Sequence, residues 1–497
     1  MSPHLSYVVD SSFIMPLLSE AGIVDATELV ASEYEVTRYD VSARRLRRAG
    51  ITLCCEEHPE IAAAWSVSLP QVWAPGSPLR RIALDSEEPG EESGVPVEAR
   101  RLLAAFVLSD PLDSAERYRG LSRRWLLAAR PGSGLAELTD ERLDPMRQGP
   151  EARGLRTILV ADKGLEEGIV GALDDAFQRA GARTRASSGD DGGRPVNQDI
   201  FSKLKAGGGD PAGVGVQAAL TRSVRRLVMN DPGVRLGEME GVHQMRVAAR
   251  RLSSDLRTFA PLVDNNWARG LIDGLRTVAR ALGEVRDMDV LLENMKASAG
   301  EIEEDLSPLF DSLMDRRSAC RSDLGALLDS PAYVDLIERL SAAAVRPMLT
   351  EAAAGPCRVV LPPLVQAAWS KLQRKASTLV PDSDDADFHR VRIEAKKVRY
   401  AAEAVGRCLD KKEGHEAASF AAAVAGVQSA LGDLQDATLA QEAVAAEAER
   451  HPQEPGFALA AGRLLERQRA TARKARAAHF ESWDSLEQSA PVEWMSA

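Results

Sequence analysis

The second half of this chain is written twice. Val-Gln-Ala-Ala-Leu-Thr-Arg-Ser-Val-Arg-Arg at 216–226 aligns with Val-Gln-Ala-Ala-Trp-Ser-Lys-Leu-Gln-Arg-Lys at 365–375, an offset of 149 residues. His-Gln-Met-Arg-Val-Ala-Ala-Arg-Arg at 243–251 aligns with His-Arg-Val-Arg-Ile-Glu-Ala-Lys-Lys at 389–397, an offset of 146. Leu-Gly-Glu-Val-Arg-Asp-Met-Asp-Val at 282–290 aligns with Leu-Gly-Asp-Leu-Gln-Asp-Ala-Thr-Leu at 431–439, at 149 again. Three matches in one order, with offsets within three residues, define an internal duplication. From 214 to 486 almost every segment has helical periodicity, with breaks at Pro232, Pro308, Pro331, Pro356, Pro381 and Pro452. The pattern predicts two similar helical bundles in a pseudo-twofold relation, repeat one over about 214–355 and repeat two over about 356–486.

The rest of the chain reads differently. A length of 497 residues allows two or three domains at roughly 150 residues each. Residues 28–186 mix strand-like segments (33–37, 51–54, 65–69, 156–160) with helical patterns over 97–108 and 166–180, an α+β domain. Residues 187–213 are rich in Gly and Asp and read as an exposed linker. No apolar run approaches the roughly 20 residues of a membrane span. The N-terminus lacks a Lys or Arg ahead of its short apolar stretch, so it is a poor secretory signal. Five cysteines without CxxC spacing suit neither zinc nor a disulfide framework and point to a reducing cytoplasm.

The net charge of −12 argues against a polyanion partner on totals alone, but the distribution argues otherwise. On a helix at 100° per residue, His243, Arg246 and Arg250 fall within about 60° of one another, and Arg257 joins the same stripe. The duplicate repeats this with His389, Arg392 and Lys396. Arg251, Lys397 and Arg399 flank the stripes. Arg222, Arg225 and Arg226, with Lys371, Arg374 and Lys375, add a second basic cluster to each half. A lone charge run is usually a solvated helix face; a His-led cationic stripe repeated in both halves of an acidic chain favours a multivalent anion. The imidazoles of His243 and His389 can donate to phosphate oxygens. No second His or Cys stands at ligand spacing, so neither metal nor cofactor is expected. Gly-rich phosphate loops, nucleophile elbows and zinc-protease motifs are absent. The Leu-Gly pieces read as structural, their Gly allowing close helix approach and Asp287 and Asp436 orienting basic side chains of the neighbouring helix.

With these motifs, residues 214–486 resemble the CHAD family, the histidine-containing α-helical domain. The segment 242–252 together with Leu-Gly-Glu-Val-Arg-Asp at 282–287 carries the resemblance. It implies two helical bundles around a basic central channel and binding of inorganic polyphosphate, with His243, Arg246, Arg250, Arg251, His389, Arg392, Lys396 and Lys397 at the matching positions. Gln435 stands opposite Arg286 and Thr438 opposite Asp289, so the halves are not equivalent.

The N-terminal domain is similar to the CYTH, or triphosphate tunnel, family. The resemblance implies a β-barrel that opens on an E-x-E-x-K strand. Here that strand is Glu33-Tyr-Glu35-Val-Thr37, without the lysine, and no Lys or Arg occurs between Arg48 and Arg80. A tunnel without cations would desolvate a triphosphate at heavy cost, so the domain is read as degenerate. The function expected is non-catalytic polyphosphate binding by the helical domain, in the cytoplasm, at polyphosphate granules where these form. A membrane is not expected as a partner, nor is nucleic acid: with 5% aromatics there is little to stack on bases. Two alternatives are a metal-dependent triphosphatase using Glu33 and Glu35, and a helical protein–protein scaffold.

Overall fold

A computed structural model describes residues 4–29, 31–59, 61–70, 80–84, 94–130, 134–147, 154–184, 204–489 and 493–495. The chain divides into two compact units, Met1–Ile200 and Phe201–Ala497.

The first unit is an antiparallel sheet with helices. Its strands are β1 (His4–Val9), β2 (Ile23–Glu28), β3 (Ser32–Asp40), β4 (Thr52–His58), β5 (Ile61–Leu69), β6 (Arg80–Leu84), β7 (Asp113–Ala129), β8 (Leu135–Pro145), β9 (Leu155–Asp162) and β10 (Arg183–Thr184). The ladder runs β10-β1-β9-β8-β7-β3-β4-β5-β6. The long β7 takes β3 along residues 113–122 and β2 along residues 125–129 on the same edge. Among the described residues no ladder joins β6 to β10. Helices α1 (Arg45–Arg48), α2 (Val97–Leu102), α3 (Ala104–Val107) and α4 (Glu167–Arg179) complete the unit. The pattern over 97–108 breaks at Leu103 and ends at Leu108, whose φ of 57° no helix admits. Leu173 and Phe177 of α4 pack with Tyr7, Leu127, Leu138 and Ile158 in one apolar core.

Two expectations need correction here. The domain does not begin at residue 28: β1 pairs with both β9 and β10, and the Tyr7 hydroxyl donates to Asp174 Oδ1 at 2.6 Å. Short strands of this kind carry little signal of their own and are held by distant partners. The linker of 187–213 is in part a docked segment. Gly208 N donates to Asp410 Oδ1 at 3.2 Å, Cys357 N to the Asp210 carbonyl at 2.8 Å, and Ala212 N to the Gly355 carbonyl at 2.7 Å. These bonds bind residues 208–212 to the second unit; 187–203 lie outside the described residues.

The second unit is helical: α5 (Ala212–Arg235), α6 (Met239–Thr258), α7 (Asn265–Ala299), α8 (Ser307–Leu328), α9 (Pro331–Val345), α10 (Cys357–Val360), α11 (Pro362–Ala376), α12 (Asp385–Gly406), α13 (Lys411–Arg450) and α14 (Pro455–Ser489). In the first repeat α5, α6, α7 and α8 pack in sequence and α9 returns to α5; in the second α11, α12, α13 and α14 pack in sequence. The repeats meet where α6 packs on α12, and again where α7 and α8 share an apolar core with α13 and α14. Both α6 and α12 bury an apolar stripe, Val242, Met245, Ala249, Leu252 and Leu256 on α6 and Phe388, Val391, Ala395, Val398 and Ala402 on α12. Their basic stripes lie on the flanks that remain. Pro232 does not break the first helix but sits in its last turn, where its carbonyl still accepts from Leu236 N at 3.0 Å. Ser330 does divide α8 from α9, its hydroxyl accepting from Tyr333 N at 3.3 Å ahead of Pro331. By length and composition α13 alone among the described helices is apolar enough to cross a membrane; it packs between α12 and α14.

Candidate polyanion-binding site

The site begins with a glycine on the helix that faces each stripe. A Cβ on Gly283 of α7 would stand 3.6 Å from Arg246 Nε, and one on Gly432 of α13 would stand 3.5 Å from Arg392 Nη2. The Leu-Gly motifs thus let a guanidinium approach the next helix closely in each repeat. Asp287, one turn beyond Gly283, accepts from Arg246 Nη2 at 3.0 Å. Asp436 holds the same place beside Arg392, and burial, reinforced by Asp287 and Asp433, raises its pKa above the ordinary carboxylate value against the pull of Arg392.

Packing of α6 on α12 brings the two stripes together. Lys396 feels Arg250, Arg392 and Arg246, so cations 146 residues apart in sequence share one cluster. Burial, then repulsion from these three guanidiniums, presses the Lys396 ammonium down to about 7, with Asp287 opposing. Burial also lowers the pKa of Arg246 and of Arg392. The Nε atoms of Arg246 and Arg392 are buried without a hydrogen-bond partner. Unmet donors of this kind at a cationic cluster are suited to anionic oxygen.

The histidines mark the start of each stripe and differ. His243 is half-buried, and burial followed by Arg286 lowers its pKa, favouring the neutral ring. His389 is exposed, its Nδ1 2.5 Å from Gln435 Oε1. Gln435 replaces Arg286, so a hydrogen bond takes the place of a repulsion.

Further along the helices lies a second basic group. Arg251 and Arg399 lie over the Tyr400 ring, 5.2 and 4.9 Å from its centroid, and both meet Glu403. Burial lowers the pKa of Arg222 and of Arg226; for Arg222 Arg407 adds to the effect, and for Arg226 Arg251 does. Asp255 is buried among Arg251, Arg222 and Arg407, and burial pushes its carboxyl up to about 7 although Ser223 donates to it at 3.1 Å. Arg225 is half-buried on the same helix as Arg222 and Arg226. Tyr400 and Arg407 escaped the sequence reading. Arg407 follows Lys396 by eleven residues, three helical turns, and extending the stripe beyond its first two turns would have found it.

Several expected residues are not in either group. Lys375 and Lys397 both donate to the buried Glu394, at 2.8 and 3.0 Å. The first repeat has Ala248 at the matching position, so these lysines serve an acid peculiar to the second repeat. Arg374 is exposed and donates to its own helix at the Ser370 carbonyl, 3.4 Å away, and Lys371 is exposed. Arg257 is exposed beside Arg276 and Asp273, donating to the Ser253 carbonyl at 3.3 Å. Asp289 is fully buried under Arg317 and Arg321 of α8, 2.6 and 3.4 Å away. It anchors α7 to α8, a pairing that Thr438 does not reproduce.

The sheet unit corrects the sequence reading in two ways. Side chains alternate along β3, so Glu33, Glu35 and Thr37 share one face and Tyr34, Val36 and Arg38 the other. On the second face Tyr34, Val36, Tyr118 and Leu155 form an apolar cluster, with Arg38 4.9 Å above the Tyr118 ring. The carboxylates are therefore one residue out of phase with the strand's own cation. Nor is the sheet poor in cations: β7, β6 and β9 supply Arg117, Arg81 and Arg156. Each meets a carboxylate, at Glu35 (3.4 Å), Glu56 and Asp140 (2.7 Å) respectively. These arginines come from strands remote in sequence, which the reading of 51–69 alone could not include. Among the described residues no group of three His, Cys, Asp or Glu side chains is placed to hold a metal ion.

Residues 218–445 match the model of the CHAD domain family, and the helical unit is a CHAD domain that follows an antiparallel-sheet domain. The sheet is consistent with a CYTH-like domain. Two uncharacterized proteins of Mycobacterium tuberculosis, from strains CDC 1551 / Oshkosh and H37Rv, are each 24% identical over 468 residues, 88% of this chain and 86% of theirs. Among solved structures, PptA from Streptomyces chartreusis is 24% identical and matches at a TM-score of 0.48, over 55% of this chain and all of that one. The CHAD domain from the plant Ricinus communis is 25% identical and matches at 0.44, over 56% of this chain and 95% of that one.

Proposed function

We propose that the helical unit binds an inorganic polyphosphate chain, and that the four cations Arg246, Arg250, Arg392 and Lys396 hold its phosphates. The observation that carries this reading is the convergence of both repeats on one cluster, with buried guanidinium donors left unmet and a lysine pressed to about 7 by its neighbours. Holding that many like charges together is costly, and a ligand of repeated negative charge offsets the cost. A linear polyphosphate offers oxygens in every unit and nothing to stack, and its binding releases counterions. Tyr400 is engaged by Arg251 and Arg399. The second basic group, around Arg222, Arg226, Arg251 and Arg399, extends the path for longer chains. The CHAD family's association with polyphosphate supports the same reading.

The role is binding without catalysis. Glu33 and Glu35 lie on the face of β3 opposite Arg38, which separates the carboxylates from that cation instead of converging them on a phosphate. The site of action is the cytoplasm.

The test is a titration with polyphosphates of defined length at several salt concentrations. Each partly desolvated charge-assisted contact contributes on the order of 1 kcal/mol. Arg246→Ala with Arg250→Ala is expected to weaken long-chain binding by roughly one to two decades and to flatten its salt dependence. Arg392→Ala with Lys396→Ala is expected to do the same. A second pair without effect would end the shared-cluster reading, and unaltered binding in both would return these helices to solvated faces.

A further inference from the structure

Three segments meet at the base of α5: the docked stretch ahead of α5, the connection between the repeats, and the end of α12. Two cysteines stand at the meeting point. Cys357 opens α10 and its amide donates to the Asp210 carbonyl at 2.8 Å; Cys408 follows the last turn of α12. Both are buried, at 0% and 1% exposure. A Cβ on Gly215 would stand 3.0 Å from Cys408 Sγ and 3.3 Å from Cys357 Sγ, so both sulfurs line the one small space that this glycine leaves open. Cys357 Sγ also lies 3.6 Å from the Pro211 carbonyl.

We propose that Cys357 and Cys408 are an oxidisable thiol pair, closed to a disulfide by a peroxide, which ties the connection between the repeats to the end of α12. The inference is independent of the polyphosphate reading. The chemistry of the two sulfurs is unequal in the way the reaction needs. The Cys408 thiol donates to the Ala404 carbonyl at 3.5 Å and the Cys357 thiol to the Pro211 carbonyl at 3.6 Å; the closeness of the two thiols favours the thiolate at Cys357, and together with burial it keeps Cys408 protonated. The Cys357 thiolate attacks one peroxide oxygen, the O–O bond breaks, and the sulfenic acid and hydroxide result. Cys408 gives its proton to that hydroxide and attacks the sulfenic sulfur, expelling a second hydroxide that takes up a proton as water. Two thiols and one hydrogen peroxide become one disulfide and two waters. The other cysteines offer a poorer match: Cys54 and Cys55 are neighbours whose side chains point to opposite faces of β4, and Cys320 stands on α8.

The bridge closes a loop of about fifty residues and cross-links the unfolded chain, which stabilises the native state in the chain-entropy account. The test uses the full chain treated with hydrogen peroxide. Two of its five thiols should be lost together and recovered with a dithiol reductant. Trypsin without reductant should yield residues 340–358 joined to 408–411, lighter by two hydrogens than the two peptides apart. Tm should rise by roughly 5–10 °C on oxidation, and Cys408→Ser should abolish both the joined peptide and the rise. Conversion of Cys357 to a sulfinic acid without a joined peptide, or thiol loss confined to Cys54, Cys55 and Cys320, would overturn the proposal. The peptide analysis needs no variant, so a Cys408→Ser chain that folds poorly does not blunt it.

Discussion

Lys396 offers the sharpest test of the cluster, because its charge is the one that changes near neutrality. Burial and the guanidiniums of Arg250, Arg392 and Arg246 hold it at about 7 in the free protein, against Asp287. A bound polyanion supplies the missing counter-charge, raises the pKa and draws in a proton. At pH 9, two units above that value, only about one free molecule in a hundred carries the charge. Affinity should therefore fall as pH rises from 6 to 9, by about tenfold or more if the contact is worth 1.5 kcal/mol or above. Burial, then Arg286, keeps His243 below its ordinary value, which favours its neutral ring over the upper part of this window. Asp255, at about 7, ionises in the same range and adds to the loss. Long chains keep the few terminal phosphates, with a second pKa of about 6, from dominating. The assay is calorimetric titration at pH 7 in two buffers of different ionisation enthalpy, with Kd followed across pH. Wild type should take up about half a proton at pH 7; Lys396→Met should take up less and lose most of the pH slope. A Kd constant from pH 6 to 9 with no proton uptake would refute the argument. The stability sign is the reverse of an ordinary paired lysine: the folded pKa lies below the unfolded one, so the unfolded chain binds the extra proton. Between pH 7 and about 10 this group's contribution to stability rises with pH.

Gly283→Ala puts a Cβ at ordinary contact distance from Arg246 and should leave polyphosphate affinity within about twofold, whereas Gly283→Leu should displace the guanidinium and cost roughly a decade in a binding titration. Asp289→Ala strands Arg317 and Arg321 and should destabilise the helical unit by about 3 kcal/mol in urea unfolding; the matching Thr438→Ala should cost less than about 1 kcal/mol. Phosphate release from triphosphate with Mg²⁺ or Mn²⁺ should stay at background, and metal-dependent release abolished by Glu33→Gln would show that the sheet unit is catalytic.

Much of the helical unit was legible because its information is local and repeated. The spacing of His243, Arg246 and Arg250 follows from helical geometry alone, and its recurrence at His389, Arg392 and Lys396 announced a second copy. The Leu-Gly pieces were visible too, but their use was not. The reading of a glycine for helix approach became, in three dimensions, a seat for an arginine from the neighbouring helix, because only packing decides what fills the space a missing Cβ leaves. The same limit explains Lys375 and Lys397. By periodicity they resemble their first-repeat counterparts, yet Glu394 takes both, and one substitution in a buried position redirected two charges.

The amino-acid order by itself determined the duplication, the helical character of 214–486, and which faces of α6 and α12 are basic, since period and burial are properties of neighbours in sequence. Tertiary structure alone decided that both stripes share one cluster, that Arg407 and Tyr400 extend a second, and that Cys357 meets Cys408. It also decided that Arg117 of β7 meets Glu35 of β3, and that β1 belongs to the sheet. Each of these rests on a contact between residues far apart along the chain, and it is the packing of whole elements, through burial and charge, that sets which distant groups meet.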